Sequence, residues 1–153
     1  MRRRQALPWV VAGAAAGLGA ALARRRARPE GADVHWAVQA VLDDSAAGWN
    51  AGDLDRFMGA YERSGATTYA SGGTLARGFD AIREGYRARW AASGRAGTLR
   101  LEILDLRRMG SRHVCVVGRY RLQPPEGALA LSGLTSLVLC RAVEGWRIVA
   151  DHS

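Results

Sequence analysis

The chain has 153 residues, 22 of them basic and every one of those arginine, with a formal net charge of +8 at pH 7. That length suits one domain with a sizeable core and is too short for two. The charge is lopsided: residues 1–32 hold seven arginines and one glutamate, +6, while residues 33–153 hold fifteen arginines against thirteen acids, +2, so the folded part lacks the basic footprint of a nucleic-acid binder.

An eighteen-residue apolar run from Ala6 to Ala23 sits between Arg2, Arg3, Arg4 and Arg24, Arg25, Arg26, Arg28. As a helix it would measure about 27 Å, close to the hydrocarbon thickness of a bilayer. Arginines at both ends suit an uncleaved membrane anchor through residues 6–23, preceding the domain as a hydrophobic helix. The basic start and Ala21-Leu22-Ala23 also suit a cleaved export signal, and Arg3-Arg4 a twin-arginine one, so exported and anchored readings both stay open. Basic counts on the two sides are nearly equal, which leaves orientation undecided. Ala27 to Asp33 has no periodicity and reads as a linker. The expected division is therefore 1–32, anchor or signal plus linker, and 33–153, one folded domain.

Val34, Val38, Val41, Leu42, Ser45 and Trp49 recur at helical spacing, which predicts a first helix ending at Gly52. Asp53 has the type and place to cap a second helix, on which Leu54, Phe57, Met58 and Tyr61 fall at i, i+3, i+4 and i+7. Thr67 to Ala70 followed by Ser71-Gly72-Gly73 predicts a short strand and turn. A third helix follows Gly78, with Phe79, Ile82, Tyr86 and Trp90 on one side. From Thr98 the pattern changes to alternation, predicting strands near 98–108, 112–122, 129–142 and 145–152, joined at Gly110-Ser111, Pro124 to Gly127 and Glu144-Gly145. Helices first and an antiparallel meander last make the class α+β.

Trp49-Asn50-Ala51-Gly52-Asp53-Leu54, Tyr61, Arg77-Gly78, Ala81-Ile82-Arg83, Gly118-Arg119-Tyr120, Gly145-Trp146-Arg147-Ile148 and Asp151-His152-Ser153 occur in that order. The set resembles the nuclear transport factor 2-like superfamily, in its SnoaL-like branch and the SgcJ/EcaC-like group within it. The resemblance spans residues 34–153. It implies a cone: three N-terminal helices packed on a strongly curved antiparallel or mixed sheet, a pocket between sheet and helices, and commonly a homodimer formed through the sheet. No single activity follows, because the superfamily hosts several on one frame. By the same resemblance Tyr69 falls where the ketosteroid isomerases keep their base, and Ser45 where they keep a donor tyrosine. A phenol is a poor base at neutral pH, and Leu134 to Cys140 offers no second acid, so that activity is expected to be absent.

His152 is the candidate catalytic group, since imidazole titrates near neutral pH. Strict alternation would put it on one face with Trp146, Ile148 and Ala150, and Asp151 on the other. The bland alternative is a structural histidine near the chain end. Tyr69, Tyr86, Trp90 and Tyr120 are candidates for an aromatic wall around an apolar ligand, though ordinary core packing accounts for them equally well. Arg119, like Arg77, offers a fork for an acidic ligand. His35, His113 and His152 are scattered and no HxxxH or CxxC occurs, so neither a metal nor another cofactor is expected. If Arg121 pairs with Ala130, Cys140 lies opposite Ser111, on the order of 13 Å from Cys115, and both thiols stay reduced. Two functions remain: a small-molecule pocket for an apolar or acidic ligand, or a non-catalytic homodimeric association module tethered to a membrane.

Overall fold

The computed structural model describes residues 30–93, 97–124 and 130–153. Three helices, α1 (Glu30–Ala51), α2 (Leu54–Met58) and α3 (Phe79–Ser93), pack on six strands: β1 (Thr68–Ser71), β2 (Thr74–Arg77), β3 (Thr98–Met109), β4 (His113–Gln123), β5 (Leu131–Ala142) and β6 (Gly145–His152). The strands form one curved mixed sheet in the order β2-β1-β6-β5-β4-β3. All neighbours are antiparallel except β1 and β6, which run parallel through Thr68–Ala150, Tyr69–Asp151 and Ala70–His152.

The Trp49–Leu54 motif builds the corner between α1 and α2. Gly52 takes the left-handed conformation, φ 74°, which costs glycine nothing and ends α1. Asp53 then caps α2, accepting from the Arg56 amide at 2.9 Å. Gly48 lets the two helices touch, since a Cβ there would stand 2.4 Å from the Phe57 amide nitrogen. Ser45, the polar member of the apolar stripe, is buried and donates to the Phe57 carbonyl at 2.8 Å.

β3 is an edge strand with backbone groups open on one side, and α1 closes part of that edge with amide side chains. Asn50 accepts from the Leu99 amide at 2.7 Å and donates to its carbonyl at 3.1 Å. Gln39 donates to the Leu101 carbonyl at 3.1 Å and accepts from the Ile103 amide at 3.3 Å. The Trp49 indole N–H reaches the Gly97 carbonyl at 3.0 Å. The core lies between α1, α3 and the inner sheet face, with Val38, Leu42, Met58, Ile82, Val114, Val116 and Leu139 almost wholly buried.

The predicted helices and long strands are found within a few residues, with four differences. The first helix takes in Glu30 to Asp33, part of the expected linker, and Asp33 in its first turn suits the helix dipole. Thr74 to Arg77 is a strand, paired with β1, where only a turn and a motif were read. Arg121 pairs with Ser132 rather than Ala130, so the β4–β5 pairing centres one residue later than expected. Cys140 consequently lies opposite His113, and Cys115 opposite Val138; both thiols are free. The fourth difference is in β6 and bears on the site. The apolar run 6–23 lies outside the described residues, and among those described no helix is long and apolar enough to cross a membrane.

Candidate functional site

A cavity of about 260 Å³ lies between the helices and the inner sheet face. Leu42 and Trp49 of α1, Phe57 of α2, and Leu99, Leu137 and Ile148 of the sheet supply apolar walls. Its polar lining converges on Asp151. Tyr61 Oη donates to one Asp151 carboxylate oxygen at 2.6 Å, and the Thr135 and Ser153 hydroxyls lie 3.1 and 2.7 Å from the other. Tyr86 Oη is 3.5 Å from Tyr61 Oη. The segment after α2, β5 and the end of β6 thus meet at one carboxylate, with α3 one hydroxyl further away.

Asp151 reaches the cavity because β6 carries one extra residue. Leu139 pairs with Ile148 but Val138 pairs with Ala150, leaving Val149 unmatched. Such a bulge reverses the inward and outward faces beyond it. Trp146 and Ile148 point in, and past the bulge Asp151 does, while Ala150 and His152 do not. The expectation that Trp146, Ile148, Ala150 and His152 share one face is therefore corrected. His152 is exposed and outside the cavity lining.

Tyr61 is held beside β6 by a short parallel bridge, with Ile148 N–H bonded to the Ala60 carbonyl at 2.7 Å and Glu62 N–H to the Ile148 carbonyl at 2.9 Å. The bridge replaces the last helical turn that the spacing of Leu54 to Tyr61 predicts. Among the other predicted site residues, Tyr69, Tyr86 and Tyr120 line the cavity. Tyr120 packs over Gly133, where a Cβ would come within 2.4 Å of its hydroxyl. Trp90 stands behind the wall, its ring 5.1 Å from that of Trp49, with its buried N–H unpaired among the described residues. Arg119 lies between the inward Gly118 and Tyr120, opposite the exposed Leu134, on the outer sheet face. Sequence reasoning missed Asp151, Tyr61, Thr135 and Arg89 as lining residues. Tyr61 and Asp151 were visible as motif members, Asp151 on the face that strict alternation turns away from His152; nothing local marked Thr135 or Arg89.

Burial raises the Asp151 pKa above the ordinary 3.8, against the opposing pull of hydrogen bonds from Tyr61, Ser153 and Thr135. Burial, with the neighbouring phenol and carboxylate, also holds the Tyr61 hydroxyl well above 10. At neutral pH Tyr61 is a proton donor aimed at an acceptor that water solvates poorly. A carboxyl with a raised native pKa binds its proton more tightly folded than unfolded, so its contribution to stability falls as pH rises from about 3.8 through the native value. Denaturant unfolding across the acidic range should show that decline, and Asp151→Asn should flatten it. Parallel profiles for the two proteins would mean that the carboxylate is not desolvated.

A family model for the SnoaL-like domain matches residues 38–153. The chain belongs to the SnoaL-like domain family. No match is found among curated proteins. Among solved structures, the SnoaL-like domain superposes on an NTF-2 like protein of unknown function from Shewanella oneidensis with a TM-score of 0.70 at 24% identity, covering 77% of this chain and 96% of that one. A nuclear transport factor 2-like superfamily protein from Salmonella enterica gives 0.60 at 15% identity, over 80% and 90% of the two chains. A ketosteroid isomerase-like protein from Erwinia carotovora gives 0.59 at 14%, over 76% and 92%. These likenesses establish the fold; at such identities they carry no activity.

Proposed function

We propose that this SnoaL-like domain binds a small, largely apolar molecule in the cavity, with an oxygen of that molecule docked against Tyr61, Tyr86 and Asp151. The observation that carries this reading is an apolar cavity ending on a buried carboxylate. Packing alone has no use for a desolvated acid, which costs stability unless it is employed, whereas a binding or proton-transfer site does. Paired with the Tyr61 hydroxyl, Asp151 can orient a carbonyl or hydroxyl group and can take or return a proton at it. The candidate for that role therefore moves from His152 to the residue before it.

A thermal-shift screen of steroids, polyketides and hydrophobic acids tests the reading, because a ligand present at 100 times its Kd adds about 2.7 kcal/mol to native stability. At least one class should raise the melting temperature, and Tyr61→Phe should reduce the gain. A screen in which nothing shifts the protein removes the reading.

A second reading, a homodimer through the outer sheet face, is favoured by Leu104 and Leu134, which are 43% and 60% exposed there near the half-buried Val117 and Val138. Sedimentation velocity at micromolar concentration should give twice the chain mass. Leu134→Glu should halve it, and a monomeric wild type would exclude this interface.

A further inference from the structure

The polar cluster around Asp151 stands at the boundary between two spaces. In the sheet order β2-β1-β6-β5-β4-β3, Asp151 of β6 is the lateral neighbour of Tyr69 of β1. On the β5, β4 and β3 side of that pair lies the cavity of about 260 Å³, walled by Leu99, Leu137 and, from α1, Leu42. On the β1 and β2 side lies an open hollow of about 390 Å³ between the β1–β2 hairpin and α3. Tyr69, Ser71, Tyr86 and Arg89 line both. The Tyr69 and Tyr86 rings stand 5.5 Å apart, and the Tyr86 hydroxyl is 3.5 Å from that of Tyr61, which bonds to Asp151. An oxygen docked on Tyr61, Tyr86 and Asp151 therefore has space on both sides of the carbon that bears it. The hollow exists because its facing walls carry small residues, Ala76 of β2 opposite Ala81 and Gly85 of α3, and a Cβ at Gly85 would meet no atom within 4 Å.

Resting on the pocket reading above, we infer that the ligand is a two-armed ketone or secondary alcohol: its oxygen docks on Tyr61, Tyr86 and Asp151, one arm fills the cavity, and the other passes Ser71 and Arg89 into the hollow. An oxygen at the end of a chain would use one space and leave the other empty. The two arms differ in character. Leucines and aromatic rings around the cavity select an apolar arm, whereas the hollow, with Ser71 and Thr74 among its walls and solvent at its mouth, accepts a shorter or more polar one. The hollow is thus a second subsite, and the residues that shape it are Ala76, Ala81 and Gly85.

Calorimetric titration of the whole chain with dibutyl ketone and with its isomer heptyl methyl ketone tests the inference. The probes hold the same atoms and differ only in where the oxygen sits, so bulk hydrophobicity cannot separate them. Dibutyl ketone places an arm on each side of the docked oxygen and should bind about tenfold tighter, a gain on the scale of the methylenes its second arm takes out of water. Gly85→Leu from the α3 wall and Ala76→Leu from the β2 wall each fill the hollow, and either should lower the dibutyl ketone affinity to that of its isomer. Gly85 is exposed with open space around it, so the helix accepts leucine there. Equal affinities in the wild type, or filled variants that weaken both ketones alike, would overturn the second subsite and leave the pocket standing. Binding of neither ketone would remove the pocket reading and the two-armed ligand together.

Discussion

Trp49→Ala should cost roughly 3–5 kcal/mol, the range for truncating a buried aromatic ring. Trp49 is 5% exposed and is the hub of an aromatic cluster: its ring lies 5.4 Å from Phe57, 6.4 Å from Tyr86 and 5.1 Å from Trp90, all edge-on. Its N–H also ties α1 to the start of β3 through the Gly97 carbonyl. The substitution removes both, and because Trp49 already lines the cavity, the space it vacates joins a hollow rather than collapsing. Against a total stability of about 5–15 kcal/mol, that loss is a large fraction. Guanidinium unfolding should show it as a lower midpoint at unchanged slope. A loss under about 1 kcal/mol would mean that the cluster relaxes around the gap and that Trp49 is not its hub.

Gly48→Ala is expected to be nearly as damaging, about 3 kcal/mol, although alanine is the better helix former by about 1 kcal/mol. The added methyl would meet three backbone atoms of α2: Phe57 N at 2.4 Å, the Arg56 carbonyl carbon at 2.8 Å and Phe57 Cα at 2.9 Å. Backbone cannot swing aside as a flexible side chain can, so α2 must shift. Phe57 and the Tyr61 segment behind it would move with α2, and both line the cavity. Ligand binding should therefore weaken together with stability. Gly85→Ala, where no atom lies within 4 Å of the added Cβ, serves as the control and should be neutral or stabilising. Equal stability of the two variants would refute the close approach of α1 and α2.

The elements were legible in the sequence wherever their cause is local. Gly52 and Asp53 announce the α1–α2 corner because a left-handed turn and a helix cap need those residue types. The long strands show because one face is wet and the other dry. β2 was missed because all but one of its residues are exposed, leaving no alternation to read. The β6 bulge was missed because Ile148, Val149 and Ala150 are three apolar residues in a row, which fit either phase of a strand equally well. Tyr69, Tyr86 and Tyr120 were found because a large ring on an inward-facing position has few other places to go. The Tyr61–Asp151 contact joins residues 90 apart, and Thr135 reaches the same carboxylate from a third element. Such a meeting point is a product of the whole topology and leaves no trace in any one segment. The same holds for Arg89, whose neighbours Tyr69 and Ser71 come from another element, and for Arg119, which the pleat turns outward.

The unmatched residue Val149 decides which reagent the chamber contains. Two adjacent side chains, one acidic and one an imidazole, compete for a single inward position, and the count of residues before them awards it to the acid. Were Val149 paired in a regular strand, strict alternation would put the imidazole inside and the carboxyl outside, with every other wall of the chamber unchanged. Length, as much as composition, is thus a chemical variable in this strand.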